Sequence, residues 1–361
     1  MSNSSCTVSF FRNDLQATRL WQGKCPVKNC SVDINKYQAP FQKHKDKMRY
    51  LPFCPEHGIR VHRQSGFVYY NGFSSDDLSV STKRNLMFNS GYYIENFLKK
   101  SNKMESTRLC YENSEDAVSY NVFTKLASNG DALRKLVGYI TNNNNIKDEI
   151  DLYLWGGKVD LKNNTFIKYN PLLTVRDHLE KDIKKFKTEP DIMLVIPKKI
   201  VICIEAKFGS KNPIAKDKEE AEGEKPRKTE KLIDRYCKGN DFINKDTLFD
   251  LSKMPGRFYE QIFRNIVFAA SMAKLEGAKE WYVVNLRNQH VINLKKGKPE
   301  SFPIMRNIRS ILQPAYKKRF THLTWESIYD KSVKDNEQLA DLAWYLKNKS
   351  LSCGRAFNIL K

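Results

Sequence analysis

The sequence of 361 residues contains no run of about 18 consecutive apolar residues, the length that a transmembrane helix needs. Its first residues, MSNSSCTVSFFRNDLQ, lack the basic segment followed by an apolar one that marks a secretory signal. It also contains no internal repeat. We therefore expect a cytoplasmic protein that neither spans a membrane nor is secreted.

Acidic residues are few relative to basic ones. The chain has 62 Lys and Arg against 41 Asp and Glu, a formal net charge of +21. Such an excess favours a polyanionic partner, because basic side chains that neutralise phosphates release the counterions of a nucleic acid. An equally simple alternative is a Lys-rich composition that accompanies Asn and Ile enrichment, so charge alone does not decide between them.

The cysteines indicate a reducing compartment. Cys203 falls in an apolar predicted strand, where a disulfide partner is not expected. The eight cysteines are at positions 6, 25, 30, 54, 110, 203, 237 and 353.

The pairs Cys25-x4-Cys30 and Cys54-x2-His57 are a ligand set that suits tetrahedral zinc. His62 or His44 could replace His57, and the spacings differ from those of common zinc fingers. Four protein ligands would leave no open position for chemistry, so the predicted zinc is structural. The alternative interpretation is a set of unrelated reduced cysteines.

Three regions follow from the patterns along the chain. Residues 1–75 form the Cys/His module, residues 76–330 alternate predicted helices and strands, and residues 331–361 form a helical segment that we expect to pack on the core. The alternation predicts an α/β core, with a βαβ crossover from IVICIEAK through a helix ending at Gly277 to WYVVNLR. The charged segment after Lys207, GSKNPIAKDKEEAEGEKPRKTEKLIDRY, is predicted to be a mobile loop or a solvated helix.

The stretch EPDIMLVIPKKIVICIEAKFGS predicts a hairpin that carries charges at one end. Two apolar runs flank Pro197-Lys198-Lys199, and Asp191 begins the first strand while Glu205 ends the second. Because side chains alternate along a strand, Glu205 and Lys207 point to the same face. Two carboxylates close together repel, and a divalent ion such as Mg²⁺ resolves this conflict. The Ala206 carbonyl could be a further ligand.

EPD followed one hairpin later by EAK resembles the motif of the PD-(D/E)xK nucleases, the restriction-endonuclease-like superfamily. The resemblance implies a mixed β-sheet flanked by helices, with Asp191 and Glu205 as ligands of Mg²⁺ or Mn²⁺. It also implies that Lys207 activates water or stabilises charge.

Two flanking helices resemble further parts of the same superfamily. SEDAVSYNVF resembles the first helix of some members. This resemblance implies Glu115 as an additional metal ligand, with Asp116 as second choice. The alternative is that these acids only complement the helix dipole, as acidic residues in a first turn often do. The helix after EAK resembles the corresponding helix of the superfamily, which implies Gln261 as an accessory residue of the site. Arg264 on the same helix could bind a phosphate. Both residues could equally lie on an exposed face of the helix. Glu149 and Asp151 alternate with apolar residues as on a solvent-facing strand edge, and we leave them out of the site.

The sequence therefore predicts a metal-dependent DNA endonuclease of the restriction or phage-defence kind, acting on double-stranded DNA. A homodimer would supply two sites for two strands. The alternatives are an RNA nuclease or a repair or recombination nuclease with the same site, and a nucleic-acid-binding protein without catalysis.

Overall fold

The computed structural model divides the chain into two compact units. The first comprises residues 1–128, 161–164 and 333–361, and the second comprises residues 129–160 and 165–332. The residues that the structure describes are 22–37, 51–57, 59–62, 66–68, 85–98, 109, 111–183, 187–210, 212, 228–253, 257–289, 301–351 and 354–359. No helix among them is long and apolar enough to cross a bilayer.

The second unit is built on a six-stranded mixed sheet. Its order is β5-β4-β6-β7-β8-β9, with β7, β8 and β9 parallel to one another and the other pairs antiparallel. The strands are β4 (Asp151–Leu154), β5 (Gly157–Lys158), β6 (Ile192–Ile196), β7 (Ile200–Ala206), β8 (Glu280–Arg287) and β9 (Phe320–Thr324).

The predicted hairpin is confirmed as β6 and β7. Ile192 pairs with Ile204 and Ile196 with Ile200, and Lys198 takes the left-handed backbone conformation (φ 59°) that the tight turn requires. Every residue of both strands is buried. β7 is therefore a central strand, as its apolar pattern predicts, because only a strand covered on both faces favours a continuous apolar run.

The predicted crossover is also confirmed. The crossover helix spans Glu260–Glu276 and packs on β7 and β8. Gly277 ends this helix with a φ of 68°, a conformation that glycine adopts without a steric penalty. β8 then runs parallel to β7. The functional consequence is that β7 and β8 end at the same edge of the sheet.

Several helices of the second unit pack against one face of the sheet. The core between them and the sheet includes Met193, Val201, Cys203, Val283 and Phe320. The helices of the second unit, numbered in chain order, are α3 (Gly130–Thr141), α4 (Asn170–Leu179), α5 (Lys228–Cys237), α6 (Lys245–Lys253), α7 (Glu260–Glu276), α8 (Ser301–Ser310) and α9 (Trp325–Ile328).

The first unit holds the Cys/His residues and helices from both ends of the chain. A 3-10 helix (Ile34–Tyr37) precedes a small antiparallel sheet of β1 (Phe53–Cys54), β2 (Ile59–His62) and β3 (Gly66–Val68). The remaining elements are α1 (Ser90–Tyr92) with a π-helix (Tyr93–Leu98), α2 (Glu115–Ala127), a 3-10 helix (Glu337–Leu339), α10 (Ala340–Asn348), β10 (Ser350–Leu351) and β11 (Gly354–Arg355).

The predicted fold class is confirmed, whereas two details differ from expectation. The end of the charged segment is not a solvated helix: α5 buries Ile233, Tyr236 and Cys237 in the core of the second unit. The first part of that segment, residues 213–227, lies outside the described residues. α10 contacts α2 within the first unit, so the C-terminal segment packs there. The predicted boundary near residue 75 lies outside the described residues, and the three-domain division remains a prediction.

Candidate active site

Glu205 and Lys207 lie side by side at the carboxyl end of β7, as strand alternation predicts. Lys207 Nζ donates to Glu205 Oε1 at 2.6 Å. Both side chains are almost fully buried, with 5% exposure for Glu205 and 7% for Lys207, so this is an ion pair removed from water. A buried ion pair of this kind costs desolvation energy that an apolar pair would avoid.

Asp191 lies across the hairpin from this pair. It directly precedes Ile192, the partner of Ile204, and its Oδ2 accepts a hydrogen bond from Ala206 N at 2.9 Å. The Asp191 carbonyl accepts from Trp155 N at 3.2 Å, which ties the residue to the neighbouring strand turn. The antiparallel register thus brings Asp191 and Glu205 to the same end of β7.

The polar residue of α7 that contacts this site is Asn265. Its Nδ2 donates to Glu205 Oε2 at 2.9 Å, and it is buried. Gln261, about one turn earlier, is exposed. Arg264 forms an ion pair with Glu260 and lies over the Tyr236 ring. Asn265 is one of several polar residues that interrupt the apolar pattern of α7, and the sequence does not show which of them faces the site.

A buried acid holds the segment that leads into Asp191. Glu180, which is fully buried, accepts from Thr188 N at 2.7 Å, from the Thr188 hydroxyl, and from the Tyr236 hydroxyl at 2.5 Å. Arg176 adds two contacts, to the Thr188 carbonyl at 2.7 Å and to Glu189 at 3.1 Å. Because Thr188 is fixed through both its amide and its carbonyl, the chain just before Asp191 has little freedom.

Glu115 lies in the first turn of α2 in the first unit. Ser114 is the N-cap, as predicted, and its side chain accepts from Ala117 N. Glu115 and Asp116 are both partly buried. Their position in a first turn suits the helix dipole whether or not they bind a metal.

The residues at the end of β7 fit a hard divalent cation. Two carboxylates from adjacent strands offer oxygen ligands, and each carboxylate oxygen keeps a second lone pair after accepting one hydrogen bond. The Lys207 ammonium provides a positive charge next to them. This combination of oxygen ligands and an ammonium suits chemistry on a phosphate, whose transition state gains negative charge.

The Cys/His cluster brings together the four residues that the spacing predicts. The ligand atoms of Cys25, Cys30, Cys54 and His57 all lie within 4.8 Å of one another. Cys54 Sγ lies 3.4 Å from His57 Nδ1 and 3.8 Å from Cys30 Sγ. Ligands placed tetrahedrally around zinc would be about 3.3–3.8 Å apart, given the usual bond lengths. The cluster can therefore hold a zinc ion. His44 lies outside the described residues.

The surroundings of the cluster favour a thiolate at Cys54. A hydrogen bond from the Cys25 thiol, together with one from His57, lowers the pKa of Cys54, and the same contacts raise the pKa of Cys25 and of His57. Thiolate is the form of cysteine that binds zinc. The Cys30 thiol donates to Glu56 Oε2 at 3.3 Å. Among the three cysteines of the cluster, Cys54 is thus the one whose surroundings favour the thiolate most.

A search of curated proteins and a search of solved structures each found no match. A family described as restriction endonuclease associating with ARP matches residues 53–349, most of the chain. The match confirms the predicted restriction-endonuclease-like resemblance and supports a nuclease function and nucleic-acid binding. The chain belongs to this family of restriction endonucleases associating with ARP.

Proposed function

We propose that this protein is a DNA endonuclease that hydrolyses phosphodiester bonds with Mg²⁺ or Mn²⁺ and acts in restriction or phage defence. One observation carries the proposal: Glu205 is held between the Lys207 ammonium and the Asn265 amide, with Asp191 across the hairpin. Family membership supports it independently. The net charge of +21 suits double-stranded DNA as the substrate.

Each residue has a proposed role. Asp191 and Glu205 would hold the ion, with Glu115 as a proposed third ligand, and the bound ion would supply Lewis acidity and a more acidic water. Lys207 stabilises negative charge on the phosphate and orients the attacking water. Asn265 fixes the Glu205 carboxylate, and Gln261 is proposed as an accessory contact on the exposed side of α7.

Other features of the proposal concern assembly and location. A homodimer would provide two active sites, one for each strand of a duplex, and light scattering of the purified protein tests for it. The Cys/His cluster is proposed to hold a structural zinc, because four protein ligands leave no position for a substrate. We propose a cytoplasmic location, where the cysteines stay reduced.

The decisive experiment incubates purified protein with plasmid DNA, with and without Mg²⁺. We expect cleavage only with the metal, and a loss of about 100-fold or more in Lys207→Ala, since its charge acts on the transition state. Lys199→Ala is the matched control, because Lys199 precedes the same strand but is exposed and pairs with Asp148. Full activity in Lys207→Ala would exclude the proposed mechanism.

A panel of substrates separates the alternatives. Plasmid, linear duplex, single-stranded DNA and RNA are compared under the same conditions. Preference for RNA, or for ends and branches, would identify an RNA nuclease or a repair nuclease with the same site. Metal-independent binding without cleavage of any substrate would identify a nucleic-acid-binding protein.

A further inference from the structure

Lys207 lies just past the end of β7, yet both of its backbone groups are held. β7 ends at Ala206, and Lys207 N donates to the Leu286 carbonyl of β8 at 2.8 Å. The Lys207 carbonyl accepts a hydrogen bond from the indole nitrogen, Nε1, of Trp325 at 3.2 Å. The two bonds anchor the peptide planes on either side of the Lys207 Cα, so they fix the backbone torsions that set the direction of its side chain.

A fixed backbone matters here because lysine carries its charge on a flexible four-carbon stem. Lys207 Nζ meets Glu205 Oε1 at 2.6 Å, and it reaches this place only if the stem starts from the right point in the right direction. The chain becomes exposed at Gly209 and Ser210, shortly after Lys207. The Trp325 contact therefore lies where the buried end of the strand gives way to exposed chain.

Trp325 is itself firmly placed. β9 runs parallel to β8, and Thr324 at its end pairs with Arg287, so α9 begins at the same edge of the sheet as the candidate active site. The start of α9 is fixed by a capping box: Ser327 N donates to Thr324 Oγ1 and Thr324 N donates to Ser327 Oγ, both at 3.0 Å. Trp325, the first residue of the helix, is 0% exposed. Its indole is thus a rigid donor.

A second contact of α9 holds the segment that follows β8. Glu326 Oε2 accepts from Gln289 N at 3.1 Å, just beyond the end of that strand. Consecutive residues of α9 therefore bind the chain segments that leave β7 and β8. A buried indole N–H usually has an acceptor, so such a bond can serve stability alone. The Trp325 bond differs because its acceptor is the carbonyl of the lysine in the candidate active site.

We propose that Trp325 is a positioning residue for Lys207: its indole fixes the Lys207 backbone so that Nζ lies beside Glu205 and the phosphate under attack. This role rests on the proposed function. Trp325 contacts neither the metal nor the nucleic acid in this role and acts through Lys207 alone. The short helix α9 thereby becomes a support of the active site.

Trp325→Phe tests the role, because it keeps an aromatic ring and removes the N–H donor. Single-turnover cleavage with saturating Mg²⁺ should become about 10-fold slower, since small errors in the position of a reacting group are costly. Binding of a duplex oligonucleotide, measured by fluorescence anisotropy with Ca²⁺, should stay within about 2-fold of the wild type, because the metal ligands and the charge are unchanged.

Trp281→Phe is the matched control. Trp281 is also a buried tryptophan of the sheet, but it lies at the opposite end of β8, where it stacks on Tyr316. Its replacement removes the same atoms far from the site, so the cleavage rate should stay within about 2-fold of the wild type.

A double mutant separates positioning from a general structural role. The proposed function expects Lys207→Ala to be about 100-fold slower than the wild type. Adding Trp325→Phe to it should lower the residual rate less than about 2-fold, because the side chain that Trp325 positions is already gone. Thermal unfolding identifies a variant that fails to fold. If Trp325→Phe does so, benzothienylalanine at position 325, which keeps the size of the ring system and replaces the N–H with sulfur, is measured in its place.

The outcomes separate this role from the proposed function. A wild-type rate without the indole donor, or an equal loss of rate in the presence and absence of the Lys207 side chain, would overturn the positioning role and leave cleavage by Asp191, Glu205 and Lys207 intact. Absence of metal-dependent cleavage by the wild type, or full activity of Lys207→Ala, would overturn the proposed function and this role with it. A slower rate that disappears in the Lys207→Ala background supports the role of Trp325.

Discussion

The Cys/His cluster and the carboxylate site are two candidate metal sites that differ in what holds their ligands. Around the cluster, the strands are two to four residues long and the buried apolar residues are few, among them Val27, Ile34 and Ile59. The carboxylate site instead lies at the end of β7, a strand of the six-stranded sheet whose residues are buried on both faces. We infer that a metal would create much of the order in the first site, whereas the sheet supplies it in the second.

The largest predicted effect tests whether the Cys/His cluster depends on a metal for its order. Cys54→Ala should abolish zinc binding and unfold residues 22–37 and 51–57, because binding of structural zinc contributes about 10 kcal/mol or more to the folding of such modules. Zinc content by elemental analysis and limited proteolysis measure the two effects. The second unit should keep its helix and strand signal in circular dichroism.

The control for this change is Cys237→Ala, which removes another buried cysteine, in α5 and away from the cluster. It should retain stoichiometric zinc. If the untreated protein contains no zinc, or if Cys54→Ala is as resistant to protease as the wild type, the cluster does not depend on a metal.

The next effect concerns the buried pair of the carboxylate site. Glu205→Gln should reduce cleavage by about 100- to 1,000-fold. It should also destabilise the protein by about 3 kcal/mol, because Lys207 keeps its charge in a buried place without a counter-charge. Adding Lys207→Met should restore most of the stability and none of the activity. Chemical denaturation and plasmid cleavage measure the two quantities.

The exposed pair of Lys199 and Asp148 is the control for this pair. Its 2.7 Å contact lies in solvent, so Asp148→Asn should cost less than about 1 kcal/mol and leave cleavage unchanged. Equal stability losses in the two pairs would show that burial does not distinguish them.

A smaller effect tests whether the sheet site depends on the buried contacts behind it. Glu180→Gln removes one acceptor oxygen from the three hydrogen bonds at Thr188 and Tyr236, and should cost about 1–3 kcal/mol. Because Thr188 precedes Asp191 by only a few residues, the Mg²⁺ concentration for half-maximal cleavage should rise. Asp182→Asn is the control, an exposed acid that pairs with Arg235. A stability loss without any change in metal dependence would make Glu180 purely structural.

The sequence allowed those parts of the structure to be predicted that depend on local pattern. The β6–β7 hairpin, the β7–α7–β8 crossover and the cysteine pairs each follow from spacing within a short stretch. β9 was missed because FTHLT alternates too weakly to resemble a strand. Glu180 was missed because LEKDIKKFK looks like a solvated segment, and only the distant Tyr236 shows that the acid is buried.

Local pattern also could not show that Asn265, and not the predicted Gln261, contacts Glu205. A helical resemblance identifies the helix, but which face meets Glu205 depends on how α7 packs on the sheet, and that is set by residues far away in sequence. The sequence separation between Glu205 and Asn265 is 60 residues, beyond the reach of any local pattern.

The smallest predicted effect compares these two residues directly. Asn265→Ala removes a hydrogen bond to a carboxylate and should lower kcat about 10-fold, whereas Gln261→Ala should lower cleavage no more than about 3-fold, because Gln261 is exposed. Single-turnover cleavage with saturating Mg²⁺ measures both. The opposite order would mean that the substrate recruits the exposed side of α7, and that Glu205 keeps its orientation through Lys207 alone. The order of the two effects therefore reveals whether the sheet site is prepared in the free protein or is completed by the nucleic acid.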